Sequence, residues 1–271
     1  MSANTDDILK MLKDIESTFS YSVYIPSLKK EVNFKQLTTE QLKTLYKTTI
    51  NRAILNLEFN TNFNNIIKEN CLDVEVDINK LTIYDKIFIF VKTRIECLSP
   101  DIKFYLNEDE KDELNTTDNT VVISILEHYN KFVDKKICFE KQTYNANQCS
   151  IVCDIPELEV ENKFQKELTA ATLADTRTVQ LAEIVGDTFV NEITKFIVFL
   201  KIEDTEINLK ETDFKTRLDI VKALPANLIK NVLEYIEDYK LKINELLSIK
   251  IDINGQIVTK EIPLDASFYS I

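Results

Sequence analysis

Cys138, Cys149 and Cys153 stand at C-x10-C-x3-C spacing, and His128, the single histidine of the chain, lies ten residues before the first of them. Three thiolates and an imidazole are a ligand set that could hold zinc tetrahedrally. The spacing speaks against it, because zinc hairpins present their ligands in short pairs at a knuckle, and His128 in "ILEHYNKF" would have to reach in from a helix. Small buried hydrophobes in strands are the simpler reading of these cysteines, and Cys71 and Cys97 read as core. A cysteine nucleophile would need the same His128 as its base. Asp73, Glu75 and Asp77 in "DVEVD" alternate with valines, so on a strand all three carboxylates share one solvated face rather than forming an acid/base pair. With two glycines, Gly186 and Gly255, neither a dinucleotide fingerprint nor a Walker loop can be built, since both need clustered glycines for backbone amides to approach phosphate. No catalytic residue, no cofactor and no enzymatic activity are expected.

The elements that would position these residues are mostly helices. Thr5 to Phe19 places Ile8, Leu12, Ile15 and Phe19 at helical spacing, with Asp6 and Asp7 in the first turn where the helix dipole favours acids. "YSVYIPSLKKEVNFKQL" alternates Val23 and Ile25 before Pro26, and Val32 and Phe34 after it, which predicts a hairpin. Thr38 and Gln41 then stand at capping-box spacing ahead of Leu42, Leu45, Ile50 and Ile54. Two helices follow between 60 and 100; the second opens at Thr82, with Asp85 three residues on, and is apolar on most sides, so it should be central. "NEDEKDELNTTDN" has no apolar face and reads as an acidic loop or linker. The stretch 135–158 reads as strand, a turn at Asn145 to Asn147, a return strand and a stop at Pro156. Helices are expected over about 157–170 and 177–202, and over Asp213 to Ala223 and Ala226 to Leu247, with Pro225 opening the last. Asn254-Gly255, between Ser248–Ile253 and Gln256–Ile262, is a strong two-residue hairpin signal. The expected fold is therefore α+β, mainly helical, with short antiparallel hairpins near the N-terminus, mid-chain and at the C-terminus. The expected organisation is a subdomain over 1–106, a linker over 107–119 and an acidic helical subdomain over 120–271.

Charge narrows the partners. Residues 1–100 carry 13 basic and 13 acidic side chains, so the net charge of −12 lies in 101–271. No basic patch is denser than Lys29-Lys30 or Lys135-Lys136, and "KIFIFVK" has too few cations among its aromatics, so neither nucleic acid nor an anionic membrane is an expected partner. No apolar run approaches the roughly 18 residues that span a bilayer. An acidic N-terminus without a signal-peptide layout and an odd number of cysteines fit a reducing cytoplasm.

The last residues, "EIPLDASFYSI", are apolar and aromatic: Phe268, Tyr269 and Ile271 either fold back on the domain's own core or insert into a neighbour, where aromatic anchors provide much of the binding energy. The second reading is the one adopted: the tail is expected to be an interaction element, with Pro263, Leu264, Phe268, Tyr269 and Ile271 as partner-binding residues. "VYIPSLKKEVNFKQLTTEQLKTL" resembles the opening of the baseplate hub and hub-assembly proteins of T-even-like contractile-tailed phages, a short strand pair followed by a helix. "LTIYDKIFIFVKTRI" is similar to that family's next strong helix, "CSIVCDIPEL" to its middle strand leading into a helix, and "EIPLDASFY" to its closing strand and aromatic pair, usually two phenylalanines. Some relatives carry a Cys-x-x-Cys-Gly knuckle before the last strand; here "IDING" keeps Gly255 and lacks both cysteines. The resemblance implies a non-catalytic tail protein, found in the virion baseplate or in the host cytoplasm during assembly. Its partners would be other phage tail or baseplate proteins, with a homo-oligomer left open. The rival from the residues alone is a small metal-binding regulatory module using His128, Cys138, Cys149 and Cys153.

Overall fold

The computed structural model describes Met11 and residues 19–47, 55–105, 120–174, 181–253 and 255–269. The helix expected over 5–19 lies outside these residues apart from Met11 and Phe19, as do the acidic stretch 107–119 and Ile271. The fold is α+β, helices alternating with small antiparallel sheets. The chain forms two compact units, neither of them a continuous stretch. The first comprises Met1–Val76, Ile87–Ile137 and Asn244–Ile271, and the second Asp77–Lys86 and Cys138–Ile243.

In the first unit, β1 (Ser20–Ile25) and β2 (Lys30–Lys35) pair with Val23 opposite Val32 and Tyr21 opposite Phe34, so the alternating apolar positions fall on one buried face. Helix α1 (Thr39–Lys47) starts where the capping box predicts: Gln41 N donates to Thr38 Oγ1 and Thr38 N to Gln41 Oε1, each at 3.1 Å. Helix α2 (Leu55–Asn70) brings Phe59, Phe63, Ile66 and Ile67 into the core. Helix α3 (Ile83–Cys97) buries Ile87, Phe88, Ile89, Phe90, Val91 and Ile95 in consecutive turns, as a helix apolar on most sides must. A hairpin not anticipated from sequence, β3 (Asp101–Tyr105) with β4 (Thr120–Ser124), precedes α4 (Ile125–Lys135). The unit closes with β9 (Ser248–Ile253) and β10 (Gln256–Glu261), paired Ile253 to Gln256, which leaves the expected two-residue loop with Gly255 at φ +86°. A short 3₁₀ turn, Ala266–Tyr269, follows.

In the second unit, β5 (Gln142–Ala146), β6 (Cys149–Cys153), β7 (Ile197–Ile202) and β8 (Thr205–Asn208) form one antiparallel sheet in that order. The β5–β6 turn lies at Asn147-Gln148, two residues beyond the expected start, with Asn147 at φ 53°. Helices α5 (Leu158–Ala174), α6 (Leu181–Phe196), α7 (Phe214–Lys222) and α8 (Ala226–Leu247) complete the elements; the last four residues of α8 belong to the first unit. The helix expected over 177–202 therefore stops at Phe196, and "IVFLKI" is a strand between β6 and β8. Its β-branched and aromatic residues suit a pleated surface, and Leu200 is buried opposite Ile151. The switch is held by Arg217, buried, whose Nη2 donates to the carbonyls of Thr194 (2.7 Å) in the last turn of α6 and of Ile197 (2.9 Å), the first residue of β7.

The start of α3 belongs to this second unit and is clamped to the chain that leads into α5. Ile83 N donates to Pro156 O (2.9 Å) and Leu158 N to Leu81 O (2.7 Å). Thr82 N and Oγ1 both donate to Asp85 Oδ2 at 2.7 Å, and Asp85 is fully buried. Thr82→Ala should lose this cap and strip one donor from a buried carboxylate, costing about 1–2 kcal/mol of stability by urea unfolding. An unchanged midpoint would show that the cap is dispensable.

Candidate functional site

The four potential metal ligands are divided between the two units. His128 lies on α4 in the first unit, and its ring Nε2 is 2.7 Å from the carbonyl of Leu246 at the end of α8. A carbonyl only accepts, so Nε2 carries the proton in this bond. Burial lowers the pKa of the ring below its usual 6.5; the Leu246 carbonyl opposes that shift, and Lys131 and Lys135 add to it. The three cysteines belong to the second unit: Cys138 is exposed ahead of β5, whereas Cys149 and Cys153 stand at opposite ends of β6, about 13 Å apart along an extended strand. Among the described residues, no three His, Cys, Asp or Glu side chains are grouped to hold a metal ion. Burial pushes Cys153 up to about 12 and Cys97 up to about 11 and raises Cys71 and Cys149, the opposite of the lowered pKa that a thiol nucleophile needs.

The "DVEVD" carboxylates do not share a strand face, which corrects that expectation. Residues 71–73 run instead along the outer edge of β2: Cys71 bridges Phe34, Leu72 N donates to Asn33 O at 2.9 Å, and Asn33 N donates to the Asp73 carboxylate at 2.9 Å. Glu75 pairs with Lys30 at 3.1 Å, and Asp77 caps the 3₁₀ turn Ile78–Lys80 through Asn79 N. A side-chain acceptor thus takes the place of a backbone carbonyl in the ladder, and this leaves Val74, between two working acids, with its side chain fully exposed.

The terminal aromatic pair is used within its own unit. Phe268 stacks on Phe90 with centroids 4.8 Å apart, under the guanidinium of Arg94 at 5.5 Å. Tyr269 stands edge-on to Phe90 at 5.1 Å, its hydroxyl donates to the Phe90 carbonyl at 2.9 Å, and its own carbonyl accepts from the Tyr46 hydroxyl. Phe59 and Phe63 complete the cluster. Both rings are buried, so as placed they offer nothing to a neighbour. Of the expected partner-binding residues, Leu264 is exposed and Pro263 half-buried.

Large apolar side chains reach solvent elsewhere, on strands and turns with no distinguishing motif in the sequence. Val122 on β4 is 63% exposed and Ile257 on β10 is 72% exposed, each on a two-stranded sheet. The signal for β10 was present in the alternation after Asn254-Gly255; β4 gave none, since a five-residue uncharged run is too short to distinguish from helix. Among the described residues, no helix is long and apolar enough to cross a membrane. No family model, curated protein or solved structure matches the chain.

Two outcomes follow from this geometry. Tyr269→Ala should destabilise the protein by about 3–5 kcal/mol, as truncation of a large buried aromatic does, and Tyr269→Phe by about 1 kcal/mol for the hydroxyl alone, both read by denaturant unfolding. Near-wild-type stability of the alanine variant would mean that the tail is not seated in the core. For His128, the only imidazole resonance in an NMR titration should have its midpoint below 6.5. A native pKa below the unfolded value means that the unfolded state takes up the proton first. This contribution to stability is therefore complete above pH 6.5 and is lost as the pH falls through the native value, and His128→Gln should remove that part of the pH dependence.

Proposed function

We propose that this protein is a non-enzymatic structural or assembly component of a contractile phage tail baseplate, working through protein–protein contacts in the virion tail or in the host cytoplasm during assembly. The proposal takes its family from the resemblance in "VYIPSLKKEVNFKQLTTEQLKTL", "LTIYDKIFIFVKTRI" and "EIPLDASFY". The observation that carries the contact role is where apolar surface is left. The side chains most able to do chemistry are committed to structural bonds, His128 to a carbonyl and Asp85 to a helix cap, with Cys153 in the core. Meanwhile Val74 and Val122 face solvent on a turn and on a strand edge. Strand edges with exposed apolar side chains are ready templates for another chain.

Co-expression with tail proteins encoded in the same genome, followed by size-exclusion chromatography with light scattering, tests this reading. The full chain should enter a stable complex, and Val74→Glu or Val122→Glu, substituted on exposed side chains, should keep the fold and weaken the complex at least tenfold. Failure of every tail protein to retain the wild-type chain would remove the proposal. Recovery of the protein in purified particles would then distinguish a resident component from a factor that leaves.

A further inference from the structure

The terminal hairpin leaves one edge of β10 without a neighbouring strand among the described residues. Ile262 N donates to Leu247 O at 2.7 Å, which makes those two a hydrogen-bonded pair. Stepping by two through the register, Lys260–Ile249, Val258–Ile251 and Gln256–Ile253 spend their backbone groups inside the hairpin. Ile257, Thr259 and Glu261 therefore turn their N–H and C=O groups outward, on an edge that has no strand beside it among the described residues. All three side chains are exposed as well.

We infer that this edge of β10 pairs antiparallel with the same edge of a second copy, about a two-fold axis through Thr259. In that register Thr259 faces Thr259 of the mate, Ile257 faces Glu261, and Val258 faces Lys260, so no two like charges are directly opposed. Threonine pairs are among the favourable cross-strand contacts. On the solvent face, Ile257 and Thr259 of both copies form the centre, and Lys250, Asp252 and Glu261 surround them, the arrangement of an apolar patch with a charged rim. Such pairing is isologous, since each copy gives and receives the same residues.

Three other edges, those of β9, β2 and β4, do not offer this. Self-pairing of β9 about its middle outward residue would set Lys250 against Lys250, and like charges directly opposite are unfavourable. The outer edge of β2 is already occupied by residues 71–73. The edge of β4 is uncharged and so carries nothing to fix a register. Two six-residue strands bury less than the roughly 800 Å² per partner of a standard interface, so the dimer is weak and in rapid exchange. The inference concerns the chain alone and does not depend on the tail-assembly reading.

Sedimentation velocity of the full chain from about 1 μM to about 1 mM should show the mass rising from monomer toward dimer. Thr259→Lys and Thr259→Glu, each placing like charges on the axis, should stay monomeric throughout, and an equimolar mixture of the two should regain the dimer. If either variant loses its circular dichroism spectrum, position 257 tests the same register: Ile257→Glu, facing Glu261, should abolish the dimer, and Ile257→Lys should retain it. A wild-type chain that remains monomeric over the whole range, a dimer indifferent to these charges, or a mixture of folded variants that stays monomeric would each overturn the inference.

Discussion

The first unit depends on the burial of one ring. Phe90, on α3, is touched by Phe59 and Phe63 from α2 and by Phe268 and Tyr269 from the tail. A phenylalanine face is electron-rich and its edge is not, so the stacked contact with Phe268 and the edge-to-face contacts with the other three are both favourable geometries. The contact between Phe90 and Tyr269 joins positions 179 residues apart. Closing so long a loop costs entropy before any contact repays it, which favours slow folding, and during synthesis the core of this unit stays open until the tail has emerged.

Buried polar groups are handled in a consistent way. Arg94 donates to the carbonyls of Ser99 and Asp101 just past the end of α3, Arg217 to those of Thr194 and Ile197 where α6 meets β7, and His128 to that of Leu246 near the end of α8. The Thr194 and Leu246 carbonyls lie in last helical turns, which have no intrahelical donor for them, and the others lie just beyond a helix end, where the arginine cations also complement the helix dipole. Burial without a carboxylate partner lowers the Arg217 pKa to about 10, yet the guanidinium stays charged at neutral pH. Lys86 is handled differently, through an ion pair with Glu161 at 3.4 Å, and burial lowers its pKa too. Removing one partner of such a pair is far more costly than replacing both with apolar residues of similar volume.

What the sequence disclosed follows from the range of the interactions concerned. Caps and turns are local, so Thr38 with Gln41, Thr82 with Asp85, and the loop at Gly255 could be placed from neighbours three residues away or fewer. The strand at 197–202 could not, because "IVFLKI" following a helical run is a strand only by virtue of lying between β6 and β8. The same holds for β3 and β4, which are separated by an acidic stretch that hides their pairing, and for Asp73, whose carboxylate completes a ladder begun 40 residues earlier. Phe268 and Tyr269, expected at an interface, are instead buried in their own unit for the same reason: an aromatic tail looks alike whether its cavity is in its own chain or in another. The edge residues Val122 and Ile257 stood out only once strand pairing showed which side of each hairpin was left open.

Among the described residues, a helix meets a strand with no residue between them at three places: β4 runs into α4 at Ser124-Ile125, α6 into β7 at Phe196-Ile197, and α8 into β9 at Leu247-Ser248. A linker would absorb a change in chain length, but a seamless junction passes it on. One residue inserted near the end of α6 would rotate that helix by about 100° or move β7 by one position, and the latter exchanges the inward and outward side chains along the whole strand. These junctions therefore work as mechanical indexing points that tie the rotation of a helix to the register of a sheet. Insertions and deletions accumulated over evolutionary time should be excluded from them, whereas substitutions that preserve residue size are tolerated.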